Sequence, residues 1–407
     1  MTVAASFTAS ADDYRFMSRA LQLAEQGRYT ARPNPCVGCV LVKGGRVVAE
    51  GWHYRAGEAH AEIHALQQLK YPEHPRVSLS DVTAYVTLEP CAHEGRTGAC
   101  ALALIDKASG VSRVVYGMKD PNPLVAGKGL DILRQAGCVV DGPLLAEQAH
   151  AINKGFIARM QFDLPRVSAK IATSLDGRTA MKSGESQWIT GAAARQDVQR
   201  LRARSCAVVT GIGSIIHDNS RLTVRVDEST LDNINDVLRR PPLKVVLDTR
   251  LRIAEDKHCR AAIFDGVNDD VIDRHWREVS VVIFTAEKSD DERIAELLVR
   301  YPMGVMVEKV AEAAGGLNLE QVLSVLAQRY ECNDVLLETG ATLLGSFLQE
   351  QLVDELIIYQ APILMGSDAR PLAGWPLTKM SEKQGLTIAD QRMIGDDLRI
   401  SAMLNKR

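Results

Sequence analysis

Apolar positions recur along this chain with helical and strand periods in alternation. Between Asp12 and Gln26, Met17, Ala20, Leu21 and Ala24 fall on one helical face, and Gly27 follows as a stop. The run Val37–Trp52 reads as a hairpin turning at Gly44-Gly45. Helices are predicted over Ala61–Lys70, Ala99–Lys107 and Gly127–Gly137, with strands over Val82–Leu88 and Val111–Tyr116. This alternation predicts an α/β unit with a mixed sheet. Leu144–Met160 reads as helical, and the segment Phe162–Val167 after it marks a change of domain. The domains are taken as 1–150 and 151–407.

A second α/β series opens with a strand at Val167–Ala172, a helix over 191–204 and a strand over 206–210. Further strands are predicted at 243–248, 279–284, 303–307 and 334–338, and the polar segment 226–242 reads as a surface loop. No internal repeat or low-complexity tract interrupts the pattern.

A chain of 407 residues is too long for one ordinary core, which agrees with two domains. Its net charge of −3, without a run of basic residues, argues against a dedicated nucleic-acid binder. No apolar run has the length of a membrane span, and the N-terminal residues lack the basic and apolar regions of a secretory signal. A cytoplasmic setting is therefore expected. There a close cysteine pair is more readily a metal site or incidental than a disulfide.

The chemistry concentrates in two short stretches, Gly57–Leu66 and Leu88–Cys100. Taken alone, Cys91 and Cys100 could form a disulfide, be buried thiols or make half of a metal site. Together with His60 they offer zinc three ligands and leave a fourth position for water, the arrangement of a catalytic site. Glu62, two residues from His60, is free to move protons. The order His-x-Glu followed by Pro-Cys matches the zinc nucleobase deaminases, although eight residues separate the two cysteines here. Cys36 and Cys39 form a second Cys-x-x-Cys. On a strand, residues three apart face opposite sides, so these two are expected to pack rather than bind metal.

In the second half, Lys170–Gly191 crowds polar residues after a strand end. Leu336–Phe347 carries a strand into a glycine-bearing loop and a helix, whose first amides can hold a pyrophosphate. Arg250 and Arg252, after the strand that ends at Asp248, can meet a 2′-phosphate or remain solvated.

Together these stretches resemble the bifunctional deaminase/reductase family of riboflavin biosynthesis. In the first half the likeness rests on RPNPCVGCV, HAEIHAL, TLEPCAHEGRTGAC and DPNPLVAGKGL. In the second it rests on SLDGRTA, ESQWITG, RLRARS, LTVR and ETGATLLGSF. The resemblance covers nearly the whole chain. It implies a cytidine-deaminase-like α/β/α domain followed by a dihydrofolate-reductase-like α/β domain. The implied reactions are zinc-dependent deamination of a phosphorylated diaminopyrimidine and NADPH-dependent reduction of its ribosyl group.

The same resemblance implies residue roles. His60, Cys91 and Cys100 would hold zinc, with Glu62 as the proton shuttle. Asn34 and His93 would contact the deaminase substrate. Lys170, Ser186, Arg202, Leu222, Arg225 and Glu338 would contact the reductase substrate. Ala172, Trp188, Ser214, Asp218, Thr249, Gly340, Ala341, Thr342, Leu343, Leu344, Gly345 and Ser346 would contact NADPH. A homo-oligomer, dimer or tetramer, is also implied, with small molecules rather than nucleic acid or membrane as partners.

The chain departs from the family pattern at several positions. Ala92 stands for serine, Glu94 for an aromatic residue, and Gly98-Ala99 for a proline pair. Ser214 stands for threonine, and HDNSRL replaces an Asp-Asp-Pro turn. The last two keep an alternative open, an active deaminase with an impaired reductase half. Two further rivals are a nucleic-acid-editing deaminase, disfavoured by charge, and a non-catalytic zinc regulator, disfavoured by Glu62.

Overall fold

The computed structural model describes residues 7–69, 80–92, 98–123, 125–226, 233–255, 258, 260–267, 279–313 and 315–405. In the first unit, α1 (Ala11–Gln26) precedes the hairpin β1 (Gly38–Lys43) and β2 (Arg46–Trp52). Then come α2 (Ala61–Gln68), β3 (Val82–Leu88), α3 (Cys100–Ile105), β4 (Val111–Met118), α4 (Lys128–Gln135) and β5 (Val139–Asp141). Two short helices, α5 (Ala146–Ile152) and α6 (Lys154–Phe162), close it.

The Ser10 hydroxyl accepts the Asp13 amide and the Asp13 carboxylate accepts the Ser10 amide, a reciprocal cap that starts α1. Its buried face, including Phe16, Met17, Ala20 and Leu21, packs on β1 and β3. The hairpin turns at Gly44 and Gly45, both at positive φ, between the paired Lys43 and Arg46. Strand order is β2-β1-β3-β4-β5, antiparallel across β2-β1-β3 and parallel across β3-β4-β5. Arg113 on β4 bridges Asp13 of α1 and Asp141 of β5, while Tyr85 on β3 donates its hydroxyl proton to Asp13. One buried carboxylate thus ties the helix to the sheet.

The predicted single helix over 144–160 is broken at Asn153. Its side chain accepts the Cys36 amide and donates to the Cys36 carbonyl, a backbone mimicry that anchors the break to the segment before β1. The compact units are Met1–Asp163 and Leu164–Arg407, so the division falls within Phe162–Val167 rather than at residue 150.

The second unit begins with β6 (Arg166–Ser174), β7 (Arg178–Ala180), α7 (Ala192–Arg204), β8 (Ala207–Gly211), α8 (Ile212–Asp218), α9 (Ile234–Arg239) and β9 (Leu243–Leu247). It continues with β10 (Val279–Ala286), α10 (Asp291–Arg300), β11 (Gly304–Val310), β12 (Glu312–Ala313), β13 (Gly316–Leu317), α11 (Leu319–Gln328) and β14 (Asp334–Glu338). The last elements are α12 (Ala341–Gln349), β15 (Glu355–Ala361), β16 (Arg370–Pro371), β17 (Leu386–Ile394) and β18 (Asp397–Leu404). The main sheet has the order β11-β10-β9-β8-β14-β6-β15-β18-β17. Strands β11 through β15 in that order are parallel, and β18 and β17 add antiparallel at one edge.

Alternate residues of the central strands enter separate apolar layers. Val245, Val282 and Phe284 join one layer; Val246, Val281 and Ile283 join the other. This parallel sheet is therefore buried on both faces. The segment 226–242 is not wholly loop, because α9 buries Ile234 and Val237. Two apolar anchors within a polar stretch were enough to fold one turn and a half onto the core.

Candidate functional site

Each donor of the first site sits where a regular element begins or ends. His60 is the N-cap of α2 in extended conformation, Glu62 lies in the first turn of α2, Cys91 follows β3, and Cys100 is the first residue of α3. The donor atoms of His60, Cys91 and Cys100 all lie within 4.8 Å of one another. His60 Nδ1 is 3.3 Å from Cys100 Sγ and 3.6 Å from Cys91 Sγ. Tetrahedral zinc with sulfur and nitrogen ligands needs N···S separations of roughly 3.5 Å. The set therefore fits zinc in both chemistry and spacing.

The electrostatics fit as well. Cys91 is pulled down to about 4 by hydrogen bonds from the Cys100 thiol, from His60 and from the Cys100 amide, whose N···Sγ distance is 3.3 Å. Cys100 is driven the other way, because its thiol proton is held by Cys91 and the site is buried. Glu62 is buried, and burial together with the Cys91 charge raises it to about 7. Its carboxyl also hydrogen-bonds Cys100, which sets it against the donor cluster.

Asn34 stands next to this cluster through His53. The buried His53 has Nδ1 3.1 Å from the Ala59 carbonyl, so Nδ1 carries the proton and Nε2 accepts from Asn34 Nδ2 at 3.0 Å. The His53 ring meets His60 edge to face, with centroids 5.3 Å apart. Burial pushes His53 down to about 4, so it is neutral at ordinary pH. His93 lies outside the described residues. Cys39 is buried on β1 and Cys36 precedes that strand; neither joins the donor cluster.

Sequence reasoning missed His53 and Glu89. Buried Glu89 accepts the backbone amides of Asp120, Gly127 and Gly129, and so binds the 120–129 segment to the strand end that carries Cys91. A Cβ at Gly129 would lie 1.8 Å from the Pro90 carbonyl oxygen, so only glycine permits this approach. The available signal was a lone carboxylate closing an apolar strand just before Pro90-Cys91.

The second site is a cleft of about 1220 Å³ in the reductase-like unit. Clefts for a single small ligand run to roughly 300–1,000 Å³, and this one exceeds that range. Lys170, Ala172, Ser186, Trp188, Arg202, Ser214, Asp218, Leu222, Arg225, Glu338, Gly340 and Ala341 all line it. Parallel register places Glu338 of β14 beside Lys170 of β6. Arg202 of α7 grips Glu338 with two nitrogens at 2.5 and 3.0 Å, and its third donates to the Thr223 carbonyl at 2.9 Å. Burial opposes the Glu338 charge, but Arg202, Lys170 and Arg225 outweigh it and hold the carboxyl below its usual range. Burial also lowers Lys170.

Trp188 is largely exposed at the cleft, with one face under the Arg195 guanidinium, 4.6 Å from the ring centroid. Gly340 caps α12 with extended backbone and no side-chain cap, leaving its first amides free for an anion. Not every expected cofactor contact reaches this cleft. Thr249, Thr342, Leu343, Leu344, Gly345 and Ser346 are absent from its lining. Only the start of α12 faces the cleft; Leu344 turns into the core, and Gly345 packs against the Gly374 backbone. The Thr249 carbonyl instead accepts the Ala286 amide.

These two sites, one in each unit, agree with two family models. Residues 10–118 match the cytidine and deoxycytidylate deaminase zinc-binding region, and 165–395 match the RibD C-terminal domain. The chain is thus a two-domain enzyme, a deaminase joined to a reductase. It is 42% identical to the riboflavin biosynthesis protein RibD of Escherichia coli over 391 residues, 95% of this chain and 98% of that protein. It is 42% identical to the RibD of Haemophilus influenzae over 397 residues, 96% and 97% of the two chains. A solved RibD of Acinetobacter baumannii superposes with a TM-score of 0.82 at 39% identity, covering 97% and 99% of the chains. A Thermotoga maritima structure, described as a diaminohydroxyphosphoribosylaminopyrimidine deaminase/5-amino-6-(5-phosphoribosylamino)uracil reductase, follows with a TM-score of 0.77 at 28% identity, covering 97% and 99%. The chain belongs to the RibD family, the bifunctional deaminase/reductases of riboflavin biosynthesis. Zinc and NADPH are the cofactors of that pair of activities.

Proposed function

We propose that the first unit removes the 2-amino group of 2,5-diamino-6-ribosylamino-4(3H)-pyrimidinone 5′-phosphate by hydrolysis. The second unit then reduces the ribosyl group of the resulting 5-amino-6-(5-phosphoribosylamino)uracil to ribityl. The observation that carries this reading is the buried Glu62 carboxyl, set in the first turn of α2 beside a His60, Cys91 and Cys100 donor set whose spacing fits zinc.

His60, Cys91 and Cys100 would hold the metal, which supplies Lewis-acid activation of a water when bound. Glu62 takes the proton from the attacking water and delivers it to the ring nitrogen, then carries the proton of the newly added hydroxyl to the departing ammonia. Oxygen from water replaces the amino nitrogen, and the ring carbonyl forms. Asn34, fixed by His53, and His93 contact the pyrimidine.

The second cleft would take NADPH, which when bound would supply a hydride to C1′ of the ring-opened imine, with a proton from water completing the reduction at nitrogen. Lys170, Arg202 and Arg225 give the cleft its positive charge for a phosphorylated substrate, and Glu338 accepts from ribosyl hydroxyls. Ser186 and Leu222 shape the substrate side. Ala172, Trp188, Ser214, Asp218 and the start of α12 hold the dinucleotide. Thr249 and the residues from Thr342 to Ser346 act, on this reading, through backbone or through packing. The chain's role is mainly orientation of two reactants.

The enzyme works in the cytoplasm as a homo-oligomer, dimer or tetramer. The exposed apolar residues Leu386, Ile388 and Met393 on edge strand β17 favour association. Light scattering on the purified chain measures the mass; a monomer at micromolar concentration would contradict that part. Glu62→Gln tests the chemistry. We expect deaminase kcat to fall about 10²- to 10⁴-fold with zinc retained, and full activity would refute the assignment.

A further inference from the structure

The reductase cleft contains a polar side chain that the roles above do not use. Gln199 of α7 is buried, lines the cleft, and accepts the Arg225 amide with Oε1 at 2.9 Å. It lies three residues before Arg202, so the two share one helix face. Arg202 meanwhile donates to the Thr223 carbonyl. Residues 219–226 have no regular structure, and Leu222 within them is held at positive φ, 53°. A segment of this kind takes its shape from whatever satisfies its backbone groups. Here one helix supplies both partners: an acceptor for Arg225 N–H and a donor for Thr223 C=O. Val224, between them, is buried.

We propose that Gln199 is a positioning residue of the reductase site. It fixes the backbone of the Leu222–Arg225 segment and thereby sets where the Arg225 guanidinium meets the phosphorylated substrate. The proposal rests on the reductase reading above. It concerns binding of the substrate, not hydride transfer and not the dinucleotide.

An apolar side chain at 199 would leave a buried N–H without a partner and release the segment. A carboxylate of the same length would keep the acceptor. The experiment compares the full-length zinc-loaded enzyme with Gln199→Leu and Gln199→Glu. KM and kcat are measured for the aminouracil ribosyl phosphate and for NADPH, and the deaminase rate of the same chains is recorded alongside. We expect Gln199→Leu to raise KM for the ribosyl substrate about tenfold. NADPH KM, kcat and the deaminase rate should stay within about twofold, and Gln199→Glu should recover most of the substrate KM.

An unchanged substrate KM in Gln199→Leu overturns the proposal. So does a parallel loss in both KM values and kcat, which would mark a general packing role, or a Gln199→Glu enzyme no better than Gln199→Leu. If wild type itself fails to reduce the ribosyl substrate, the functional reading falls instead, and the two failures are distinct.

Discussion

Asp13 shows how much one side chain can organise. Burial pushes its carboxyl up, but hydrogen bonds from Arg113, Ser10 and Tyr85 outweigh that and hold it well below the usual carboxylate range. A depressed pKa gives stability that is full above the unfolded value of roughly 3.9 and is lost as pH falls toward the folded value. Asp13→Asn should therefore cost about 2 kcal/mol at neutral pH, where it leaves Tyr85 and Arg113 short of an acceptor. Urea melts between pH 7 and pH 3 should show the gap from wild type closing on the acid side; a gap constant with pH would rule this out. The zinc donors carry a second expectation at this scale. Cys91 and burial push the Cys100 thiol up, and a metal ligand must be thiolate. Calorimetric zinc titrations in two buffers of different ionisation enthalpy should report release of about one proton or more, and identical heats would contradict it.

Among the elements, those that carry the candidate zinc site were the easiest to read. A β-branched strand ending at Leu88, followed by Pro90-Cys91, placed one candidate donor, and the helix after Ala99 placed another. Local periodicity sufficed because each donor sits at an element boundary. Strand β17 was not legible, since it is exposed on both faces and its register comes only from pairing with β18. Gln199 and His53 were invisible for a related reason. Gln199 meets Arg225, 26 residues on, and His53 meets Asn34, 19 residues back, and no local pattern marks either. The cofactor loop was legible as a glycine loop before a helix, yet the inward turn of Leu344 depends on how α12 lies on the sheet.

The replaced turn after Asp218 is informative at the same scale. Asn219 takes the left-handed conformation at the end of α8, φ 46°, and its side chain accepts the Ala262 amide at 2.8 Å. Asparagine tolerates that conformation better than most residues. Asn219→Ala loses both advantages and should destabilise the second unit by about 1–2 kcal/mol. Denaturation followed by a signal from that unit would show it; no change would mean the turn is held elsewhere.

At the scale of the whole chain, two units with separate cores carry two separate chemistries. Among the described residues, none of the candidate metal donors belongs to the second unit, and none of the cleft-lining residues belongs to the first. Chelation of zinc should therefore abolish deamination while leaving NADPH-dependent reduction of the supplied aminouracil intermediate within about twofold. Loss of both activities on chelation, with the fold intact by circular dichroism, would contradict this independence.

The central claim is that one chain performs both steps in order. A mass-spectrometric time course on the phosphorylated diaminopyrimidine, first without and then with NADPH, tests it most directly. We expect the deaminated product alone to accumulate at first. Its conversion to the ribityl compound, two hydrogens heavier, should begin only when NADPH is added. Deamination that NADPH leaves unchanged would sink the reductase half and turn attention to Ser214, Asn219 and Ser220. No reaction at all in zinc-replete protein would overturn the proposed substrate.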